Sequence, residues 1–445
     1  LWPSLLPQFA LDEVPEPVGS RSTAAGEWTL YRFDVASSIQ DVTIGLALSE
    51  ADGATGLVLL QATPDEYEEL QGSVLIPAID AFAPLEPEPT ADPATAGYTS
   101  EDVVFRGGSE GVELAATLTL PDSEGPHPVA LLVSGSGGQD RDESLPFTSL
   151  RPFAEIAHAL SSAGVGVLRY DDRGVGESTG TLAGATLAEI ASDAAAALEY
   201  LEGRDDVDPE RIGVVGHSEG GLVAAMLGAG DGRPSFLVSM AGPAVRGADV
   251  LRLQNIALLR VSGIEEAFVE AYGEFLGELY ELVIDEDAAT ARAMAEEFFP
   301  GAWDLLGEVT REQLGDLTRD DYVELQIAAI MEQMFESAAS APWMRSFLDY
   351  DPGVDWAQVT VPVLGLYGAK DVQVLAEQNE PALVGRLAEA GVDDVTTVVF
   401  DDANHLFQAA ESGSPAEYAS LAPAFTAEFL PTLVDWIVER TDVAE

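Results

Sequence analysis

The sequence predicts an α/β fold: a mostly parallel sheet with helices on both faces, interrupted by a block of helices and preceded by a small β-rich domain. Three observations predict it. From about residue 100 onward, short apolar runs of strand length alternate with longer segments whose apolar residues recur every three or four positions. A serine framed by glycines, Gly216-His217-Ser218-Glu219-Gly220, stands between the apolar run Ile212-Gly213-Val214-Val215 and a helical run from Gly221 to Leu227. Between about 246 and 355 the alternation stops and only helical patterns remain.

Taken in order, Trp28 to Phe33, Val42 to Leu48 and Gly56 to Leu60 read as strands of the N-terminal domain, which contains no His, Lys or Cys. Residues 82 to 99 are rich in Pro, Ala and acids without periodicity, so a boundary falls there and the first domain with its linker spans 1–97. Val103 to Leu120 reads as a hairpin and Val129 to Val133 as the first buried strand. Phe153, Ile156, Ala157 and Leu160 mark a helix face, Val165 to Tyr170 a strand, and Ala194 to Leu201 part of the next helix. After the serine motif come strands at Ser235 to Met240, Val361 to Tyr367 and Val395 to Phe400. The main domain therefore spans 98–245 and 356–445, and 246–355 is an inserted helical cap. In the cap, Phe268, Tyr272, Phe275, Leu276, Leu279, Tyr280 and Val283 share one helix face, and Val323, Ile327, Ile330, Met331 and Met334 share another.

Composition bounds the function. At 445 residues the chain holds two or three units, and 47% hydrophobic residues are ample for a large core. With 78 Asp plus Glu against 20 Lys plus Arg, the net charge of −58 argues against gripping nucleic acid phosphates or anionic membranes. Lys370 is the only lysine, and the acids are spread along the whole chain. Two readings of this stay open: adaptation to high salt, where screening relieves the repulsion between carboxylates, and a GC-rich genome that exchanges Lys for Arg. The absence of cysteine removes disulfides, thiolate metal sites and a Cys nucleophile. No apolar run approaches the roughly 18 residues that a membrane span needs. A start at Leu1 fits a secreted or cell-envelope protein trimmed of its signal peptide; a cytoplasmic protein cut for expression begins the same way.

The chemistry converges on Ser218. A serine displayed at a sharp strand-to-helix turn is a nucleophile elbow, whose crowding requires small flanking residues such as Gly216 and Gly220. A serine hydroxyl is a weak nucleophile and needs a base, held by a third group. Of the four histidines, His127 lies between prolines, His158 lies within a helix flanking the sheet, and His217 should point away from the elbow tip. His405, on the loop after the last strand, is the base by elimination and position, and Asp371, after the preceding strand, is its orienting acid. Asp401 and Asp402 are closer in sequence but should end a strand and face solvent. An oxyanion needs two backbone N–H donors: Glu219 supplies one, and Ser136 or Gly137 in Ser134-Gly135-Ser136-Gly137-Gly138-Gln139 the other. That glycine-rich loop lacks the lysine of a phosphate-binding loop, and no His pair has metal-ligand spacing, so neither cofactor nor metal is expected. Trp303, Met331, Phe335, Trp343 and Phe347 of the cap are candidates to line a substrate pocket, or else form the cap's own core.

These motifs, together with Gln139-Asp140-Arg141-Asp142, Tyr170-Asp171-Asp172-Arg173-Gly174-Val175-Gly176-Glu177-Ser178, Tyr350-Asp351-Pro352, Tyr367 to Val374 and Asn404 to Gln408, resemble the α/β-hydrolase carboxylesterases, particularly bacterial esterases with an N-terminal β-domain and a helical cap. The resemblance covers about residues 100 to 440. It implies a serine carboxylesterase acting on small to medium acyl esters through an acyl-enzyme, with the Asp172 to Ser178 loop in a structural role. A thioesterase or a peptidase would use the same triad. A binding protein on a hydrolase scaffold is the reading from another class. The expected partner is a small-molecule ester, with no nucleic acid and no membrane; nothing in the sequence fixes an oligomeric state.

Overall fold

The computed structural model describes residues 14–23, 26–35, 42–51, 54–82, 97–145, 148–230, 234–314 and 317–442. It divides into two compact units, Leu1–Glu86 and Pro87–Glu445. The Pro-rich boundary segment read from sequence lies mostly outside the described residues.

The first unit is an antiparallel sheet in the order β1-β2-β3-β4, formed by β1 (Pro17–Thr23), β2 (Gly26–Val35), β3 (Val42–Ala51) and β4 (Ala54–Ala62). Trp28, Ala47, Leu75 and Ile79 pack together where one sheet face meets the helical stretch that follows β4. Strand β1 and this helical stretch were not expected from sequence.

The second unit holds an eight-stranded sheet: β5 (Tyr98–Arg106), β6 (Glu113–Pro121), β7 (His127–Val133), β8 (Gly166–Tyr170), β9 (Val207–His217), β10 (Leu237–Met240), β11 (Val363–Gly368) and β12 (Val395–Phe400). Their order across the sheet is β12-β11-β10-β9-β7-β8-β6-β5. The opening pair β5 and β6 is antiparallel, and β8, β7, β9, β10, β11 and β12 run parallel. Parallel strands covered on both faces need continuous apolar runs, and every residue of β7 and β10 is buried.

One face is closed by the helices Leu187–Glu202, Glu219–Ala229 and Ala376–Ala390, the other by Pro152–Ser162 and Phe429–Thr441. The helix Leu187–Glu202 starts at a capping box, in which the Thr186 hydroxyl accepts from the Glu189 amide and the Glu189 carboxylate from the Thr186 amide. It buries Leu187, Ala191, Ala194, Leu198 and Leu201, one stripe at helical spacing. The helix Glu219–Ala229 has no polar side, because Gly220, Gly221, Ala224, Ala225 and Gly228 let it sink against β9 and β10. Between β10 and β11 lies the helical insertion, with its own core around Phe275, Leu279, Phe299, Tyr322 and Met331.

Among the described residues no helix is long and apolar enough to cross a membrane.

Candidate active site

Parallel strands end on one edge of a sheet, and the candidate residues all sit just past those ends. Ser136 follows β7, Ser218 follows β9, Asp371 follows β11 and His405 follows β12. Backbone strain gathers on the same edge. Positive φ angles occur at Glu143 after β7, Ser218 after β9, Ala241 after β10 and Phe407 after β12. Such conformations cost about 1–3 kcal/mol each and persist only where surrounding contacts impose them.

Ser218 has φ 53° and ψ −117°, and its amide donates to the carbonyl of Met240 at 2.8 Å. The turn is tight enough to need both flanking glycines. A Cβ on Gly216 would lie 1.9 Å from the Gly220 carbonyl oxygen, and one on Gly220 would lie 2.1 Å from that of Val133. The loop after β7 leans on the elbow, since a Cβ on Gly135 would meet that of Ser218 at 3.3 Å.

Asp371 and His405 form a buried pair, with His405 Nδ1 2.8 Å from Asp371 Oδ2. The other carboxylate oxygen accepts from the amides of Gln373 and Val374 at 2.7 and 2.9 Å, which fixes the acid in place. With Nδ1 held on the acid, Nε2 is left for a substrate or a hydroxyl. Asp401 and Asp402 are exposed, as their position at the end of β12 implied.

The Ser134–Gln139 loop is braced from behind by Asp172, which accepts from the Ser134 hydroxyl at 3.1 Å and the Gln139 amide at 2.9 Å. Burial pushes the Asp172 carboxyl up to about 7, with the Glu219 and Glu143 charges adding to the rise and these two hydrogen bonds opposing it. Ser136 and Gly137 themselves are exposed. Glu219 opens the helix after the elbow, so its amide stands at a helix N-terminus where negative charge is favoured. Its side chain is buried and accepts from Trp343 Nε1 of the insertion at 2.5 Å. Burial lifts the Glu219 carboxyl to about 7, against the pull of that hydrogen bond.

A cavity of about 380 Å³ opens between the Ser136 loop and the insertion, lined by Ser136, Gly137, Leu182, Ala183, Ala185, Ile190, Ala339, Ser340 and Trp343. It is mostly apolar, with Leu182, Ile190 and Trp343 standing among smaller residues. A larger recess of about 560 Å³ is lined in part by Asp371, Lys370, Glu377 and Glu380 and contains none of the Ser136 loop. Of the five aromatic and Met candidates, Trp343 alone borders the 380 Å³ cavity. Phe347 is buried behind it with ring centroids 5.2 Å apart, while Trp303, Met331 and Phe335 pack in the core of the insertion.

Sequence reading also set His217 aside. The structure buries it beneath the elbow, its Nδ1 2.7 Å from Glu143 Oε1 and its Nε2 donating to the His405 carbonyl at 3.0 Å. Leu182, Ile190 and Ala339, too, carried no signal as cavity residues, because apolar residues at such spacing read as core.

A family model described as serine aminopeptidase, S33, matches residues 148–411. Esterase EstD of Thermotoga maritima is 25% identical over 424 residues, covering 94% of this chain and 81% of its own. Among solved structures, the esterase Pf2001 of Pyrococcus furiosus superposes with a TM-score of 0.45 at 16% identity, covering 79% of this chain and 94% of that one. Est1E of Butyrivibrio proteoclasticus, solved with ferulic acid, gives 0.44 at 17%, over 76% and 98% of the two chains. With the family model spanning more than half of the chain, and the sheet order and strand directions those of the α/β-hydrolase fold, this protein belongs to the S33 serine aminopeptidase family of α/β-hydrolases.

Proposed function

We propose that the protein is a serine carboxylesterase. The observation that carries this reading is the strained, glycine-flanked Ser218 on the same sheet edge as the buried His405–Asp371 pair. In the proposed reaction His405 takes the hydroxyl proton as Ser218 attacks an ester carbonyl, and Asp371 holds the imidazole in the tautomer that leaves Nε2 free to accept. The Glu219 amide and an amide from Ser136 or Gly137 stabilise the oxyanion. The imidazolium then protonates the leaving alcohol, and water releases the acid from the acyl-enzyme by the same proton route.

The insertion acts in this reading as a cap, and the 380 Å³ cavity beside Ser136 takes the apolar part of a small to medium ester. The likeness to EstD along 94% of the chain supports ester chemistry. Amide hydrolysis is the second reading, favoured by the description of the family model. The test is hydrolysis of p-nitrophenyl esters of graded length beside the anilide of the same acyl group, with wild type and Ser218→Ala. Ester turnover that falls by about 10⁴ or more in the variant is expected. A faster anilide would move the assignment to a peptidase, and a Ser218→Ala chain that keeps its ester activity would refute it.

A further inference from the structure

Glu143 and His217 are 74 residues apart in sequence, yet they meet directly beneath the elbow, both buried. Three loops converge on them. The elbow supplies His217, the residue before Ser218. The loop after β7 is tied in by the Gly135 amide, which donates to Glu143 Oε1 at 3.0 Å. The loop after β12 is tied in by the carbonyl of His405, which accepts from His217 Nε2 at 3.0 Å. The two imidazole rings lie 4.9 Å apart.

Proton counting shows that the pair must be a matched unit. A carbonyl oxygen only accepts, so His217 Nε2 carries a proton, and the contact at Nδ1 requires a second proton between the ring and the carboxylate. The Gly135 amide donates to the same carboxylate oxygen. Burial works against a charged ring, but the Glu143 charge, its hydrogen bond and the His405 carbonyl outweigh it and hold the His217 imidazole above its ordinary value. Glu143 reaches this place from a backbone with φ 55°, a strained turn at the end of Asp140-Arg141-Asp142. Among the described residues its buried Oε2 has no hydrogen-bond partner, so the ring and the Gly135 amide, both at Oε1, are what compensate the carboxylate.

We propose that Glu143 and His217 are positioning residues of the active site: a buried ion pair that holds the elbow, the oxyanion loop and the backbone of the base in one register. The proposal rests on the esterase reading of Ser218 and His405, and neither residue of the pair touches substrate. Because His405 is held at its side chain by Asp371 and at its carbonyl by His217, both its ring and its backbone are fixed, with Nε2 left open. The expectation differs from that for a fold-supporting pair, since a displacement of about 1 Å between reacting groups lowers turnover by up to about 100-fold with little effect on binding.

The test is Glu143→Gln, which keeps the shape but not the charge. A neutral His217 has one ring proton, so the amide cannot preserve the Gly135, Nδ1 and His405 ties together, and one must be lost. The expected result on a short p-nitrophenyl ester is kcat lower by about 10- to 100-fold with KM within about threefold. His217→Asn, whose side-chain amide can still donate to Glu143 but cannot reach the His405 carbonyl, is expected to give a similar loss. The double variant should be no worse than the more damaged single one, because the pair acts as a unit. If Glu143→Gln does not fold, His217→Asn decides. Wild-type kcat in the folded variants, even with a lower Tm, would overturn the proposal. Ser218→Ala run in parallel separates the two claims: an active Ser218→Ala chain brings down the esterase reading and this proposal with it, whereas an inactive one beside fully active pair variants brings down the proposal alone.

Discussion

Replacing Glu219 by Gln should stabilise the protein above neutral pH and change it far less at pH 5. The side chain is buried at the helix start with, among the described residues, one hydrogen bond, from Trp343 Nε1, and burial raises its carboxyl from 4.5 to about 7. A group whose folded pKa is raised contributes stability that is present in full below the unfolded value and lost as pH rises through the folded one. The shift from 4.5 to about 7, at about 1.4 kcal/mol per unit, makes the ionised form unfavourable in the fold by about 3 kcal/mol well above pH 7. At pH 5 most of that penalty is absent. Gln removes the ionisation but keeps an oxygen for Trp343, so whatever the amide changes in packing applies equally at both pH values. The difference in unfolding free energy between variant and wild type should therefore grow in favour of the variant by about 2–3 kcal/mol from pH 5 to pH 9. Asp172 adds in the same direction, since the Glu219 charge contributes, after burial, to its own raised value. Urea unfolding followed by tryptophan fluorescence at fixed salt measures this. A difference that does not change with pH, or a variant that is weaker at pH 9, would show that the Glu219 carboxylate is compensated and the argument from burial wrong.

Three further outcomes follow from the same geometry. Trp343→Ala removes the ring that borders the cavity and tethers Glu219, so kcat/KM for octanoyl over acetyl esters should rise about tenfold or more; an unchanged ratio would remove the cavity from the substrate path. Gly216→Ala puts a Cβ 1.9 Å from the Gly220 carbonyl oxygen, and the cost of overpacking there, about 3 kcal/mol or more, should appear as a lower urea midpoint together with lost turnover; a variant with the wild-type midpoint would mean that the elbow relaxes freely. With a net charge of −58, Tm should rise by about 5 °C or more between low and molar salt as the screening length shrinks; a flat Tm would leave codon usage as the account of the acidic composition.

What sequence pattern conveyed, and what it did not, follows from how far each interaction reaches along the chain. The strands of the second unit are legible because burial on both faces demands unbroken apolar runs such as Val129 to Val133. Strand β1 is not, because Pro-Val-Gly-Ser-Arg-Ser-Thr lies at a sheet edge with nearly every side chain exposed and no alternation to read. Helix faces such as Phe268 to Val283 are legible, but their spacing cannot distinguish the insertion's own core from a pocket wall; only Trp343, of five candidates, borders the 380 Å³ cavity. The His405–Asp371 contact is legible because each residue follows a strand of the same parallel sheet, so strand order brings them together. The Glu143–His217 contact has no such rule. In a chain with 78 acids, Glu143 looks like any surface carboxylate, and a positive φ and a fold that returns the loop under the elbow are what aim it at His217. The residues proposed to do chemistry are thus marked by local motifs, whereas those proposed to hold them in register are found only where distant loops meet. An acidic composition of this kind hides them further, because it removes the rarity that makes a lone buried charge conspicuous.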